Sequence, residues 1–244
     1  IPRYYQFAAC FRDEDPRADR LYGEFYQLDV EMSFVEDGEE VRNIMDPLIN
    51  DLVTKFADKK LISPDIPRIP YQEAMEKYGT DKPDLRFGME LIDLSDELKG
   101  TGFGVFAGAI NDGGAVKAIC VKNASSLSRS QIAKFTEVAK TEGAGGLAYL
   151  TFEAGEVKSP IAKFFKPEEL SKIKEKTDAQ DGDIVFFGAD KRLVVNRVLG
   201  RLRSEFATHF ELKNPNDIAL AWVVDFPFYE LDEKTKNIDF GHNP

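Results

Sequence analysis

The residues best suited to chemistry sit near the start of the chain at alternate positions. In the run YYQFAACFRDED, Gln6, Ala8, Cys10, Arg12 and Glu14 share one parity and Tyr5, Phe7, Ala9 and Phe11 the other. In EFYQLDVEMSF, Phe25, Gln27, Asp29, Glu31 and Ser33 share a face opposed by Tyr26, Leu28, Val30, Met32 and Phe34. Period-two alternation of this kind reads as two strands joined by a charged loop containing Pro16 and Gly23. The apolar rows are expected to point inward and the rows carrying Arg, Gln, Asp and Glu into a common space. A planar guanidinium there suits bidentate contact with phosphate, and an ionised carboxylate only accepts hydrogen bonds. Charge and alternation alone favour a salt-laced surface hairpin on an ordinary antiparallel sheet.

The elements that must position these rows follow in order. Val41, Ile44, Met45, Leu48, Ile49, Leu52, Val53 and Phe56 recur at helical spacing. Pro47 is expected to kink that helix or to mark a restart capped by Asp46. A proline-rich connection then surrounds one short helix at 72–78, and Asp81, Lys82, Asp84 and Arg86 read either as a surface charge cluster or as structural residues. From residue 98 the texture is compact α+β. Strands are expected at 103–109 and 116–122 around the turn NDGG. A helix with a Ser128/Gln131 capping box runs to Gly143, and a strand follows at 147–153. Pro167 opens another helix, DIVFFGAD is a strand, and a long helix carries Leu193, Val194, Val198, Leu199, Leu202 and Phe206. The glycine-rich TGFGVFAGA and EGAGGLAY lack the spacing of a phosphate loop. After residue 211 come an apolar strand, a turn and a second strand, with Trp222, Val223, Val224 and Phe226 as core candidates.

A net charge of -11 and a pI near 4.8 argue against non-specific nucleic-acid binding and against a DNA partner, so any RNA contact would use a local basic patch. Cys10 and Cys120 form neither a disulfide framework nor a zinc pattern; two buried thiols in a reducing cytoplasm, and no metal site, are expected. There is no signal peptide and no apolar run of membrane length, which points to a soluble cytoplasmic protein. The chain opens on Ile1 and is soon inside a strand, and it stops at HNP, so it reads as a piece of a longer protein.

FRDEDxRADR, a short loop and EFxQxDxExSF closely resemble motif 2 of the class II aminoacyl-tRNA synthetases, in the version of the bacterial-type aspartyl enzymes. The resemblance implies that Arg12 holds the ATP α-phosphate, that Phe25 stacks on adenine, and that Glu14 lies near adenine and the tRNA end. It implies that Gln27 and Asp29 line the amino-acid pocket and that Arg17 and Arg20 approach the tRNA acceptor end. Leu21, Tyr22 and Gly23 replace the family's two-residue Gln-Pro link, and Tyr26 replaces a Thr, departures that bear on the loop more than on ATP. YxEAMxxYGxDKPDLR is characteristic of the same enzymes, and GLAYL, KSPIAKF and Gly188-Ala189-Asp190 resemble the GAD domain inserted in them. DFP followed by HNP resembles the return to the catalytic sheet, with His242 as a pocket residue and only the first histidine of the family's His-His-Pro-Phe present.

The implied organisation is a first part of the catalytic domain at 1–97, a GAD domain at 98–210 and return strands at 211–244, within an α+β class II fold. The implied reaction forms aspartyl-adenylate from L-aspartate and ATP with Mg2+, then charges tRNA(Asp), with tRNA(Asn) left open. The parent is expected to be a cytoplasmic homodimer. Motifs 1 and 3 and the anticodon-binding domain are not in this sequence, so the chain alone is expected to fold, at least in its inserted domain, without aminoacylating. Two rivals are a sister ligase for asparagine or lysine, and a non-catalytic tRNA-binding or amidotransferase-type module carrying a GAD domain. FRDED with EFxQxD beside a GAD insertion counts against each.

Overall fold

The structure is a computed structural model that describes residues 2–12, 23–231 and 235–241. It divides into two compact units, residues 1–58 and residues 59–244, each taken by itself.

The first unit holds strands β1 (Arg3–Arg12) and β2 (Gly23–Met32), paired antiparallel, and helix α1 (Glu39–Phe56). Pro47 lies inside α1, yet the helix is continuous; it begins after Gly38, with no restart at Asp46. Proline removes one ladder donor, and the apolar positions on either side keep their period through it. No residue of α1 is buried.

The second unit begins with two short strands, β3 (Lys60–Leu61) and β4 (Arg68–Pro70), and helix α2 (Tyr71–Tyr78). It then builds a sheet from β5 (Ile92–Asp93), β6 (Ala115–Val121), β7 (Ala148–Glu153), β8 (Glu156–Lys158) and β9 (Ile184–Asp190). The strand order is β5-β6-β9-β7-β8, with every pairing antiparallel. Helices α3 (Gly104–Asn111), α4 (Arg129–Thr141), α5 (Pro167–Thr177) and α6 (Arg192–His209) cover both faces. Alternation sets the two cores: Ile119, Val121, Ile184 and Phe186 face Phe135, Leu199, Leu202 and Phe206 of α4 and α6. Val116, Ala118, Val185 and Phe187 face Phe106 and Ile173 of α3 and α5. Because both faces are covered, β6 is buried along its whole length, which is why it reads as an apolar run.

One expectation is overturned here. Residues 103–109 are not a strand: α3 starts at Gly104. Phe103, Phe106 and Ile110 recur three and four residues apart, and the Phe106 ring packs 4.8 Å from Phe103 and 5.3 Å from Phe187. Burial of those rings outweighs the low helix propensity of the glycines. The capping box at α4 is present, with Ser128 accepting from the Gln131 amide and Gln131 accepting from that of Ser128.

The chain leaves and re-enters beside itself. β10 (Asp217–Ile218) pairs parallel with β3, and β11 (Trp222–Val224) pairs parallel with β4. Trp222, Val223, Val224 and Phe226 are half-buried instead of forming a core, since these ladders are only two strands wide. A hairpin of β12 (Tyr229–Leu231) and β13 (Ile238–Phe240) follows.

The end of the motif YGTDKPDLR and the residues just after it are held by a buried arginine. Arg203 of α6 is 2% exposed, and its guanidinium donates to the carbonyls of Asp84, Phe87, Gly88 and Met89 at 2.9–3.0 Å. It also lies 4.1 Å from the centre of the Phe87 ring. Asp84 takes Arg86 in a two-point contact at 2.9 and 2.7 Å. Gly79 and Gly200 let α2 and α6 meet: a Cβ on Gly200 would sit 2.7 Å from the Gly79 carbonyl oxygen.

Candidate active site

The register of β1 and β2 places Arg12 opposite Gly23, Cys10 opposite Phe25, Ala8 opposite Gln27 and Gln6 opposite Asp29. Directly opposed residues in an antiparallel pair project from the same face. The strand positions expected to bind ATP and the amino acid therefore line one surface. Two contacts fix it: Gln6 Nε2 donates to Asp29 Oδ2 at 3.2 Å, and the Cys10 thiol donates to Gln27 Oε1 at 3.0 Å. The Tyr4 hydroxyl donates in turn to Gln6 Oε1 at 2.9 Å. Gln27 and Asp29 are thus oriented by neighbours that the sequence reading put on the right face but gave no role. The signal that could have found them was the pairing register, which follows once the two alternations face each other.

The other face corrects the sequence reading. The row Tyr5, Phe7, Phe11 and Tyr26 was expected to point into a core, but these side chains are 68–74% exposed. Alternation is satisfied; among the described residues of this unit nothing is packed across that face of the two-stranded ladder. Cys10 is half-buried, while Cys120 is buried, its thiol pushed up to about 12 by burial.

Arg12, Phe25, Gln27 and Asp29 are brought together along the ladder. Glu14, Arg17, Arg20 and His242 lie outside the described residues. Among the described residues no group of three or more His, Cys, Asp or Glu side chains could hold a metal ion, and no helix is long and apolar enough to cross a membrane.

The profile of the GAD domain family matches residues 106–199, the part of the second unit that holds most of both cores. Beyond that segment, almost the whole chain aligns with curated proteins. It is 49% identical over 244 residues to the aspartate-tRNA(Asp/Asn) ligase of Caldanaerobacter subterraneus subsp. tengcongensis. It is 46% identical over 243 residues to the protein of the same name in Rickettsia felis. In both cases 99% of this chain is covered. Over almost its whole length the chain is similar to one stretch of bacterial aspartate-tRNA(Asp/Asn) ligases, and it contains a GAD domain. It spans about 40% of the length of these relatives. The hairpin that resembles motif 2 and a GAD domain thus occur in one polypeptide.

Proposed function

We propose that the protein to which this chain belongs is an aspartate-tRNA ligase, and that β1 and β2 supply its ATP and aspartate contacts. The observation that carries this is the register, which aligns Arg12, Phe25, Gln27 and Asp29 on one face. The relatives' names support both tRNA(Asp) and tRNA(Asn) as acceptors. In this reading the catalytic domain occupies residues 1–97 and 211–244 and the GAD domain 98–210, the protein is cytoplasmic, and it works as a homodimer.

The chemistry asked of these residues is positioning and charge neutralisation. The aspartate α-carboxylate attacks the ATP α-phosphorus, an aspartyl-adenylate forms, and pyrophosphate leaves. A terminal hydroxyl of the tRNA then attacks the activated carbonyl and AMP leaves. Arg12 binds the α-phosphate and offsets the charge that builds on its oxygens, while Phe25 stacks on adenine. Asp29 accepts from the substrate ammonium, and the Gln6 contact holds its carboxylate in place. Gln27, steadied by Cys10, and His242 line the pocket. Glu14 lies beside adenine, and Arg17 and Arg20 meet the tRNA end. Magnesium supplies charge to the phosphates of bound ATP; the described residues offer it no ligand cluster, so no step here runs through it.

The test is ATP-pyrophosphate exchange by the full-length protein with aspartate, asparagine or lysine, wild type beside Arg12→Ala. Exchange with aspartate alone, reduced at least about a hundredfold in the variant, is expected. Charging of both tRNA transcripts is expected from the wild type. The 244-residue chain by itself is expected to form no adenylate. Absence of exchange by folded full-length protein with added tRNA would overturn the ligase and favour a binding module.

A further inference from the structure

A cavity in the second unit opens where the five-stranded sheet is incomplete. β9 pairs with β6 as far as Asp190, but with β7 only as far as Phe187. Beyond that point residues 144–147 no longer pair with β9, and a slot of about 530 Å³ lies between them. It reaches both faces of the sheet: Phe103, Phe106 and Ile161 wall it on the α3 side, and Val194, Val195 and Val198 of α6 on the other.

The register identifies the backbone groups left over at the slot. Val116 of β6 stands opposite Ala189. The Val116 amide donates to Ser95 Oγ at 3.0 Å, and its carbonyl accepts from the Leu94 amide at 2.9 Å. Val116 is thus turned away from β9, and in an antiparallel pair the residue opposite it is turned away from β6. Ala189 therefore aims its N–H and C=O toward the β7 side, where the ladder has ended, and neither has a partner among the described residues. Between apolar walls, such groups are satisfied by water or by another backbone.

Two further features point to a backbone. Gly145 and Gly146 line the slot across from Ala189. Neither has a positive φ, and a Cβ on either would meet nothing within 4 Å, so neither local conformation nor packing calls for glycine there. Bare backbone leaves room for a second chain to pass close by. The lining also carries a single charged side chain, Asp190. One of its carboxylate oxygens accepts from the Lys191 amide at 2.6 Å, and it forms no ion pair among the described residues.

We propose that this slot takes an extended segment of another protein as an added strand, in the order basic residue, apolar residue, apolar residue. Every pairing in this sheet is antiparallel, and in that direction the three residues stand opposite Asp190, Ala189 and Gly188. The middle residue exchanges both hydrogen bonds with Ala189. Opposed residues share a face, so the basic side chain lies beside the Asp190 carboxylate and the middle one falls on Phe103 and Phe106. The third lies over Gly188, which has no side chain to obstruct it, against Val194 and Val198.

The experiment titrates the peptide acetyl-Lys-Phe-Val-amide into the full-length protein by calorimetry. Two analogues run beside it, one N-methylated on the phenylalanine nitrogen and one with glutamate for lysine. Saturable binding of the parent peptide is expected. N-methylation removes the donor to the Ala189 carbonyl and is expected to weaken binding at least about fivefold, and the glutamate analogue is expected to bind severalfold more weakly. Gly146→Leu, which fills the slot from its open side, is expected to abolish saturation, and Asp190→Asn to erase the difference between the lysine and glutamate peptides. The proposal fails if the parent peptide does not saturate at millimolar concentration. It fails equally if the N-methylated peptide binds as tightly, since apolar filling alone then accounts for binding, or if folded Gly146→Leu binds the parent peptide as the wild type does.

Discussion

The hairpin with its helix and the GAD-bearing remainder are built on opposite plans. In residues 1–58 the aligned functional side chains are held by a few side-chain contacts, the apolar row beside them is open, and α1 buries nothing. In residues 59–244 two cores flank a five-stranded sheet, and most polar burial, such as Arg203 and Lys117, is fully committed to structure. The hairpin that resembles motif 2 is therefore not where the buried core of this chain lies. The difference follows from burial: a two-stranded ladder cannot cover its own apolar face, whereas a sheet clad in helices on both sides can.

The strongest way to break this comparison is a matched pair of substitutions. Arg203→Ala leaves four carbonyls without their donor and is expected to cost the second unit about 3–5 kcal/mol, read as a fall in denaturation midpoint. Phe7→Ser, at a side chain 72% exposed, is expected to stay within about 0.5 kcal/mol. Equal losses would mean that the apolar row of β1 is part of a core after all.

A smaller effect comes from Asp183, which is 2% exposed. Burial acts to raise its carboxyl, but the amides of Gln180 and Asn123, together with Lys122, hold it below the ordinary range. A carboxyl lowered in the folded state stabilises above its unfolded pKa of about 4, and that contribution is lost as pH falls through the folded value. Asp183→Asn is expected to cost about 2 kcal/mol at neutral pH and to flatten the acid side of a stability-pH curve. An unchanged acid limb would remove Asp183 from the account. The smallest change is Ser128→Ala, which removes one half of the α4 capping box and is expected to cost about 1 kcal/mol, measurable by thermal unfolding.

How much could be read in advance depended on whether a residue's partner is local. The face shared by Arg12, Phe25, Gln27 and Asp29 was legible because parity alone decides it. The start of α4 was legible because Ser128 and Gln131 recognise each other three residues apart. The α3 segment was misread as strand because its glycines hide a spacing of Phe103, Phe106 and Ile110 that tertiary packing enforces. The exposure of Phe7 and Tyr26 was not legible, since periodicity names a face without saying what covers it. Arg203 was equally hidden: its helix period marks it as inward, but the carbonyls it binds lie more than a hundred residues away.

The parallel pairing of β4 with β11 has an entropic side. About 150 residues separate the end of one strand from the start of the other, so the insertion is also the crossover of that pair. Were those residues unfolded, closing so long a loop would cost about 2 kcal/mol more than closing a crossover of about a dozen residues. Because α6 grips the outgoing strand's continuation through Arg203 and Gly200, the folded insertion holds its own two ends together. It acts as a splint: its folding stabilises the pairing of β10 with β3 and of β11 with β4 even where it never touches them.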